Sequence, residues 1–217
     1  MSGIAVYGIP GSPFLRSVEI TLKEKDAPYH LHAMAPMETK SAEHLKRHPF
    51  GRIPAFEHDG FELYETQAIL RYLDQVFPAP PLTPAEPKAR ARMNQIIGII
   101  EWYFFPKAAA AIAFNRIIAP RLLGIPGDEQ AVADAMPMGR TCFAELGRLL
   151  GDEAYFTGSS VSIADIMLAA QLDLFGECPE GRELIDDTAN LRPWLNRMLA
   201  RPSFIATAPP QMLRAAA

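Results

Sequence analysis

Apolar positions change their period twice along this 217-residue chain, and those changes divide it. Up to residue 77, short strand-like runs alternate with short amphipathic helices. Ile4-Ala5-Val6-Tyr7 is a β-rich run ended by Gly8, Pro10, Gly11 and Pro13. From Pro13 to Asp26, Leu15, Val18 and Leu22 share one helical face, with Arg16, Glu19, Lys23 and Glu24 at polar positions. Tyr29-His30-Leu31-His32 reads as a second strand, and Ser41 to His48 as a short helix stopped by Pro49. Pro54 to Glu57 and Phe61 to Tyr64 flank His58-Asp59-Gly60, a hairpin signal. A helix from Thr66 to Phe77 follows, its core face set by Ile69, Leu70, Leu73 and Val76.

Residues 78–87 hold five prolines, which neither a helix nor a sheet can run through, and they read as a stiff linker. Beyond them, residues 88–217 are almost wholly helical in pattern. Met93, Ile96, Ile97, Ile100 and Phe104 keep the helical period, with a kink expected at Pro106. Another helix is expected over Asp128 to Leu150, broken or bent at Pro137. Ser162 to Phe175 is apolar on nearly every face and reads as a buried central helix, with Ser162 and Asp165 as its capping box. Pro193 suits the first turn of a final helix. The domains expected are therefore an α/β unit over 1–77 and an all-α bundle over 88–217.

Composition narrows the function. Hydrophobic residues make up 49% and charged residues 21%, an ordinary globular balance, and the net charge is −4 with no basic stripe. Nucleic acid and anionic membrane call for a basic surface, so neither is expected as a partner. Proline, lysine and asparagine at 106, 107 and 115 interrupt the apolar stretches, so no membrane span is read, and no signal peptide is read at the start. Cys142 and Cys178 have neither CxxC nor zinc spacing, which suits two reduced thiols in the cytoplasm. His44 and His48 are four apart but have no third ligand, and no metal is expected.

Three segments of the first unit carry the candidate chemistry. Ser12 lies where the first strand turns into a helix, either as an ordinary N-cap or with its hydroxyl and the helix's positive end facing an anion. In Phe50-Gly51-Arg52-Ile53-Pro54, a cis Ile53–Pro54 bond would turn the Ile53 backbone groups outward, free to pair with a peptide-like ligand. At the next helix start, Glu65 suits an ammonium and Thr66 a carboxylate, unless both merely cap.

Together, Gly8-Ile9-Pro10-Gly11-Ser12-Pro13, Pro49 to Phe56, Leu63 to Ile69 and Ser162-Ile163-Ala164-Asp165-Ile166 resemble the serine-type glutathione S-transferases, closest in the first domain to the phi class and its bacterial relatives. The resemblance implies a thioredoxin-like N-terminal domain followed by an all-α bundle. It implies that Ser12 stabilises the glutathione thiolate, with Tyr7 the rival activator. Ile53 would hold the cysteinyl part, Glu65 and Thr66 the γ-glutamyl end, and Lys40 with Arg52 the glycine carboxylate. Arg52 and Thr39 depart from the residues usual at their positions. Ser12-Pro13-Phe14-Leu15 stands where redox relatives carry Cys-Pro-x-Cys, so disulfide chemistry is disfavoured. Arg16, poorly placed for the helix dipole, either adds positive field at the thiolate or pairs with Glu19 or another carboxylate. Phe14, Trp102, Tyr103 and Phe105 are candidates for the electrophile pocket, and Phe50 for a contact with a second subunit.

The expectation is a cytoplasmic homodimer conjugating glutathione, as co-substrate and without a cofactor, to small hydrophobic electrophiles. The alternatives are a glutathione-dependent peroxidase or isomerase, or a non-catalytic binding or regulatory protein.

Overall fold

A computed structural model describes residues 3–214. Its sheet has four strands, β1 (Ile4–Gly8), β2 (Tyr29–Ala33), β3 (Ala55–His58) and β4 (Phe61–Tyr64), in the order β2-β1-β3-β4. β1 pairs parallel with β2 and antiparallel with β3, and β3 pairs antiparallel with β4. Asp59 (φ 53) and Gly60 (φ 85) close the β3–β4 hairpin; two consecutive positive φ angles are what a two-residue turn matched to strand twist requires. The four strands lie where the sequence placed them.

Helix α1 (Pro13–Glu24) packs Leu15, Val18 and Leu22 into the core, each fully buried. At about 1.5–3 kcal/mol per such side chain, this face ties the helix down. Its opposite side is buried too. Ser17 and Thr21 satisfy their hydroxyls on the carbonyls one turn back, at 2.8 and 2.9 Å. Arg16, expected on a polar face, is 3% exposed and pairs with Asp173, while its Nε donates to the Thr207 carbonyl at 2.8 Å. Of the carboxylates offered, the partner is thus one other than Glu19, and the guanidinium joins α1 to the second half of the chain. A short α2 (Ala42–Arg47), capped by the Ser41 hydroxyl on the His44 N–H, follows an unforeseen 3-10 turn at Pro36–Lys40. In α3 (Thr66–Val76), Ile69, Leu70 and Leu73 are buried as expected, but Val76 faces solvent.

The proline-rich stretch is anchored rather than free-standing. Lys25 and Asp74 form a buried ion pair, the Lys25 ammonium also reaching the Pro80 carbonyl. The Leu82 N–H donates to Asp74 at 2.9 Å, and the Leu82 carbonyl accepts from the Ile163 N–H at 3.0 Å. With Leu82 itself buried, the stretch becomes a joint bonded to both sides.

Helix α4 (Pro87–Leu123) corrects one expectation. The helix runs on through Pro106, with Ile100–Ala109 and Phe114–Leu123 in the wider π-helical winding. Each π stretch contains a proline, Pro106 and Pro120, and the wider register makes room for a ring that lacks an N–H. Because Pro106, Lys107 and Asn115 do not interrupt it, α4 is long and apolar enough, by length and composition, to cross a membrane. Its hydropathy has a local cause: Met93, Ile96, Ile97, Ile100, Phe104 and Ile112 are buried in the core.

Pro137 likewise leaves α5 (Glu129–Leu150) continuous; Asp128 caps it by accepting from Gln130 and Ala131. Helix α6 (Ile163–Phe175) is buried on nearly every side and forms the centre of the bundle. Helices α7 (Pro179–Asp187), α8 (Leu191–Leu199) and α9 (Pro202–Ala206) complete it. Pro193 therefore lies in α8, which is not the final helix.

Candidate functional site

The N-termini of α1 and α3 open on one cleft of about 870 Å³ between the sheet and α4. Ser12 is at the N-cap of α1, yet its hydroxyl makes no capping bond. Among the described residues only its backbone is engaged, the N–H with Ile9 at 3.0 Å and the carbonyl with the Arg16 N–H at 2.9 Å. A serine at this position ordinarily satisfies its own helix; here the hydroxyl is left for the cleft it lines. The preceding Gly11 has φ +91, and a side chain there would strike Leu213 at 2.2 Å. Glycine is required on both counts, and the tail of the chain fixes the loop that presents Ser12.

Ile53 and Arg52 line the opposite wall. The Ile53–Pro54 bond is cis, and no protein hydrogen bond among the described residues uses the Ile53 N–H or C=O. Glu65 precedes α3 with φ 72, a left-handed conformation that costs a non-glycine residue about 1–3 kcal/mol. Its side chain does not cap the helix either. Thr66, buried at the first helical position, stands beside it in the wall. Ser12, Ile53, Glu65 and Thr66 therefore meet in one cleft although more than 50 positions of sequence separate the ends of the set.

Lys40 does not line this cleft; its ammonium lies over Gly51, 2.9 Å from where a side chain would begin, at the cleft's margin. Phe14 and Phe105 meet edge to face at 4.6 Å and form the apolar end, with Trp102 beside them. Tyr103 is 49% exposed, lies under the Lys107 ammonium and is not in the wall. Tyr7 is also absent from it: its ring is sandwiched between His32, stacked at 4.5 Å, and the Arg47 guanidinium at 4.3 Å.

Glu101, Gln67 and His48 also line the wall, and the sequence reading gave them no role toward glutathione. Glu101, on α4, accepts from Gln67 at 2.7 Å. Burial, reinforced by the charge of Glu65 and opposed by Arg71, pushes its carboxyl up to about 7. His48 is buried in the wall, with an Nδ1 that has no hydrogen-bond partner among the described residues; burial lowers its affinity for a proton. No local motif marks Glu101 or His48, although Gln67 adjoins the Glu65-Thr66 pair and its direction along α3 was a usable signal. Away from the cleft, burial pushes the Cys142 thiol up to about 11 and Cys178 to about 12, so neither is poised as a thiolate.

The model of the glutathione S-transferase N-terminal domain matches residues 2–75, and that of the C-terminal domain matches residues 129–197. The chain is 30% identical to a glutathione S-transferase of Hyoscyamus muticus, over 93% of this chain and 96% of that one. It is 29% identical to the probable glutathione S-transferase GSTF1 of Oryza sativa subsp. japonica, over 94% of each. Among solved structures, glutathione transferase F2 from Populus trichocarpa superposes with a TM-score of 0.84 at 27% identity, covering 94% of this chain and 96% of that one.

Proposed function

This chain belongs to the glutathione S-transferase family and is a glutathione-conjugating enzyme, and we propose that Ser12 holds the tripeptide's sulfur as a thiolate at the N-terminus of α1. The observation carrying this reading is a serine hydroxyl that its own helix does not use, in one cleft with Ile53, Glu65 and Thr66. On binding, the thiol proton leaves to solvent and the hydroxyl donates to the sulfur anion. The sulfur then forms a bond to the electrophilic carbon while the leaving group departs with its electron pair. Ile53 pairs with the cysteinyl backbone as a strand would, and the start of α3 takes the γ-glutamyl carboxylate. Arg52 and, from the margin, Lys40 hold the glycine carboxylate. Phe14, Trp102 and Phe105 receive a small hydrophobic electrophile. The test is retention on immobilised glutathione together with conjugation of a chlorodinitrobenzene; absence of both would sink the site.

We assign the γ-glutamyl ammonium to Glu65 and Glu101 jointly. Glu101, pushed up to about 7, is mostly protonated at pH 6 and mostly ionised at pH 8, and the ammonium prefers the ionised form. Affinity for S-methylglutathione, which has no thiol to titrate, should therefore rise about 3- to 10-fold between about pH 6 and 8, the cleft's water limiting the effect. In Glu101→Gln calorimetry should show a flat profile; the wild-type slope persisting there would dismiss this role.

The enzyme is read as a cytoplasmic homodimer acting in detoxification. Two buried, unpaired cysteines suit a reducing compartment. Phe50, 66% exposed beside Tyr64, is the aromatic offered to the second subunit. Phe50→Ala should weaken the dimer about 10- to 100-fold, as loss of a buried aromatic anchor does, and sedimentation velocity at falling concentration measures it. A wild-type chain that sediments as a monomer would refute the assembly.

A further inference from the structure

The reacting corner has an apolar neighbour. Phe105 and Ala110 are also walls of a second cavity of about 220 Å³, bounded by Pro13 of α1, by α4 and by α6. Ser12 lines the first space and not the second. The inner wall is apolar, made chiefly by Ile117, Ile118, Leu174 and Phe175, with one exception. Gln171, on α6, is 4% exposed, and its amide makes no hydrogen bond to any described residue. The other polar groups in this part of the bundle are engaged: Asp173 pairs with Arg16 and Arg214, and Asn115 bonds Ala111 and Asp128.

The amide is a polar group on the wall of an otherwise apolar cavity, where leucine or methionine would fill the same volume. A group left so in an otherwise apolar cavity is placed to meet a ligand, as in pockets where a few polar atoms orient an apolar body. We propose that Gln171 sets the specificity of the electrophile site. It selects substrates whose aromatic body fills the inner cavity and whose carbonyl-type oxygen, at the end remote from the reacting carbon, accepts a hydrogen bond from the amide. The volume suits one ring with a small substituent. Para-acyl benzylic halides are the chemical class: sulfur bonds to the benzylic carbon at the first cavity while the carbon–halogen bond breaks and halide leaves with its electron pair. The acyl oxygen meanwhile lies inside. The proposal rests on the glutathione site described above.

The test compares S-benzylglutathione with S-(4-acetylbenzyl)glutathione by calorimetry, with glutathione as reference, in wild type, Gln171→Leu and Gln171→Met. Wild type should favour the acetyl conjugate about 3- to 10-fold, the range of one neutral hydrogen bond. In both variants that preference should vanish or reverse while glutathione itself binds as before. An unchanged preference in the variants, or none in wild type, with all three ligands bound, overturns the role of Gln171 and leaves the glutathione site standing. Failure of glutathione and both conjugates to bind wild type overturns the two together.

Discussion

Ser12→Ala is expected to lower kcat/KM for conjugation about 10- to 100-fold near neutral pH, with glutathione affinity changed less than about twofold. A hydrogen bond to a charged acceptor is worth about 1.5–3 kcal/mol, and each pKa unit is about 1.4 kcal/mol. Loss of the hydroxyl should therefore raise the pKa of the bound thiol by roughly one to two units. The helix N-terminus, worth about 0.3–1 kcal/mol, remains in the variant. The deficit should be greatest below the wild-type thiol pKa, where the thiolate fraction falls with the shift. It should narrow at alkaline pH, where both enzymes hold thiolate and the more basic sulfur is the better nucleophile. Ultraviolet titration of bound glutathione and the pH profile of kcat/KM read the two effects separately. Tyr7→Phe is the control, because the Tyr7 ring is held between His32 and Arg47 and lines no part of the cleft. Wild-type turnover and an unmoved profile in Ser12→Ala would take Ser12 out of the mechanism.

The largest stability effect should come from Asp165→Ala. Asp165 is fully buried and accepts from the Phe156 N–H at 3.0 Å, the Ser162 N–H at 2.9 Å, the Ser162 hydroxyl at 2.6 Å and the Trp194 indole N–H at 2.9 Å. These donors lie on the start of α6, the segment before it and α8, so one carboxylate joins three parts of the bundle. Alanine leaves every donor without that acceptor, at about 1–3 kcal/mol each before water enters the cavity. The net loss should be about 3–5 kcal/mol, and Tm should fall by about 10 °C in a chain of this size. Asp165→Asn should fall in between, keeping one acceptor but turning an amide donor toward N–H groups. A Tm within about 2 °C of wild type in the alanine variant would show that the network is dispensable.

Much of the site was legible because it is local. Strand, turn and helix start lie within a few residues of Ser12, and the same holds for Ile53-Pro54 and Glu65-Thr66. Glu101 and Gln171 were not legible in this way. A glutamate in an apolar helix and a glutamine in a buried one look alike in sequence whether they face solvent, a partner or a cavity. Arg16 shows the same limit, since its partner Asp173 is 157 positions away.

The prolines divide along the same line. Those at strand and helix boundaries were read correctly, because a missing N–H and a fixed φ act on the nearest neighbours. At Pro137 a break or bend was expected, and the helix does not break there; whether a helix survives an internal proline depends on its packing against the rest of the bundle. By itself, then, the sequence determined the four strands, the main helices and the three short ligand-facing segments, all of which depend on interactions within a few residues. Only the tertiary structure decided that Ser12's hydroxyl is unspent, that Glu101 joins Glu65, that Tyr7 is turned away and that an unpartnered amide waits behind Phe105. Each of these is a question of which distant side chain fills the space, and burial and hydrogen bonding across the fold answer it.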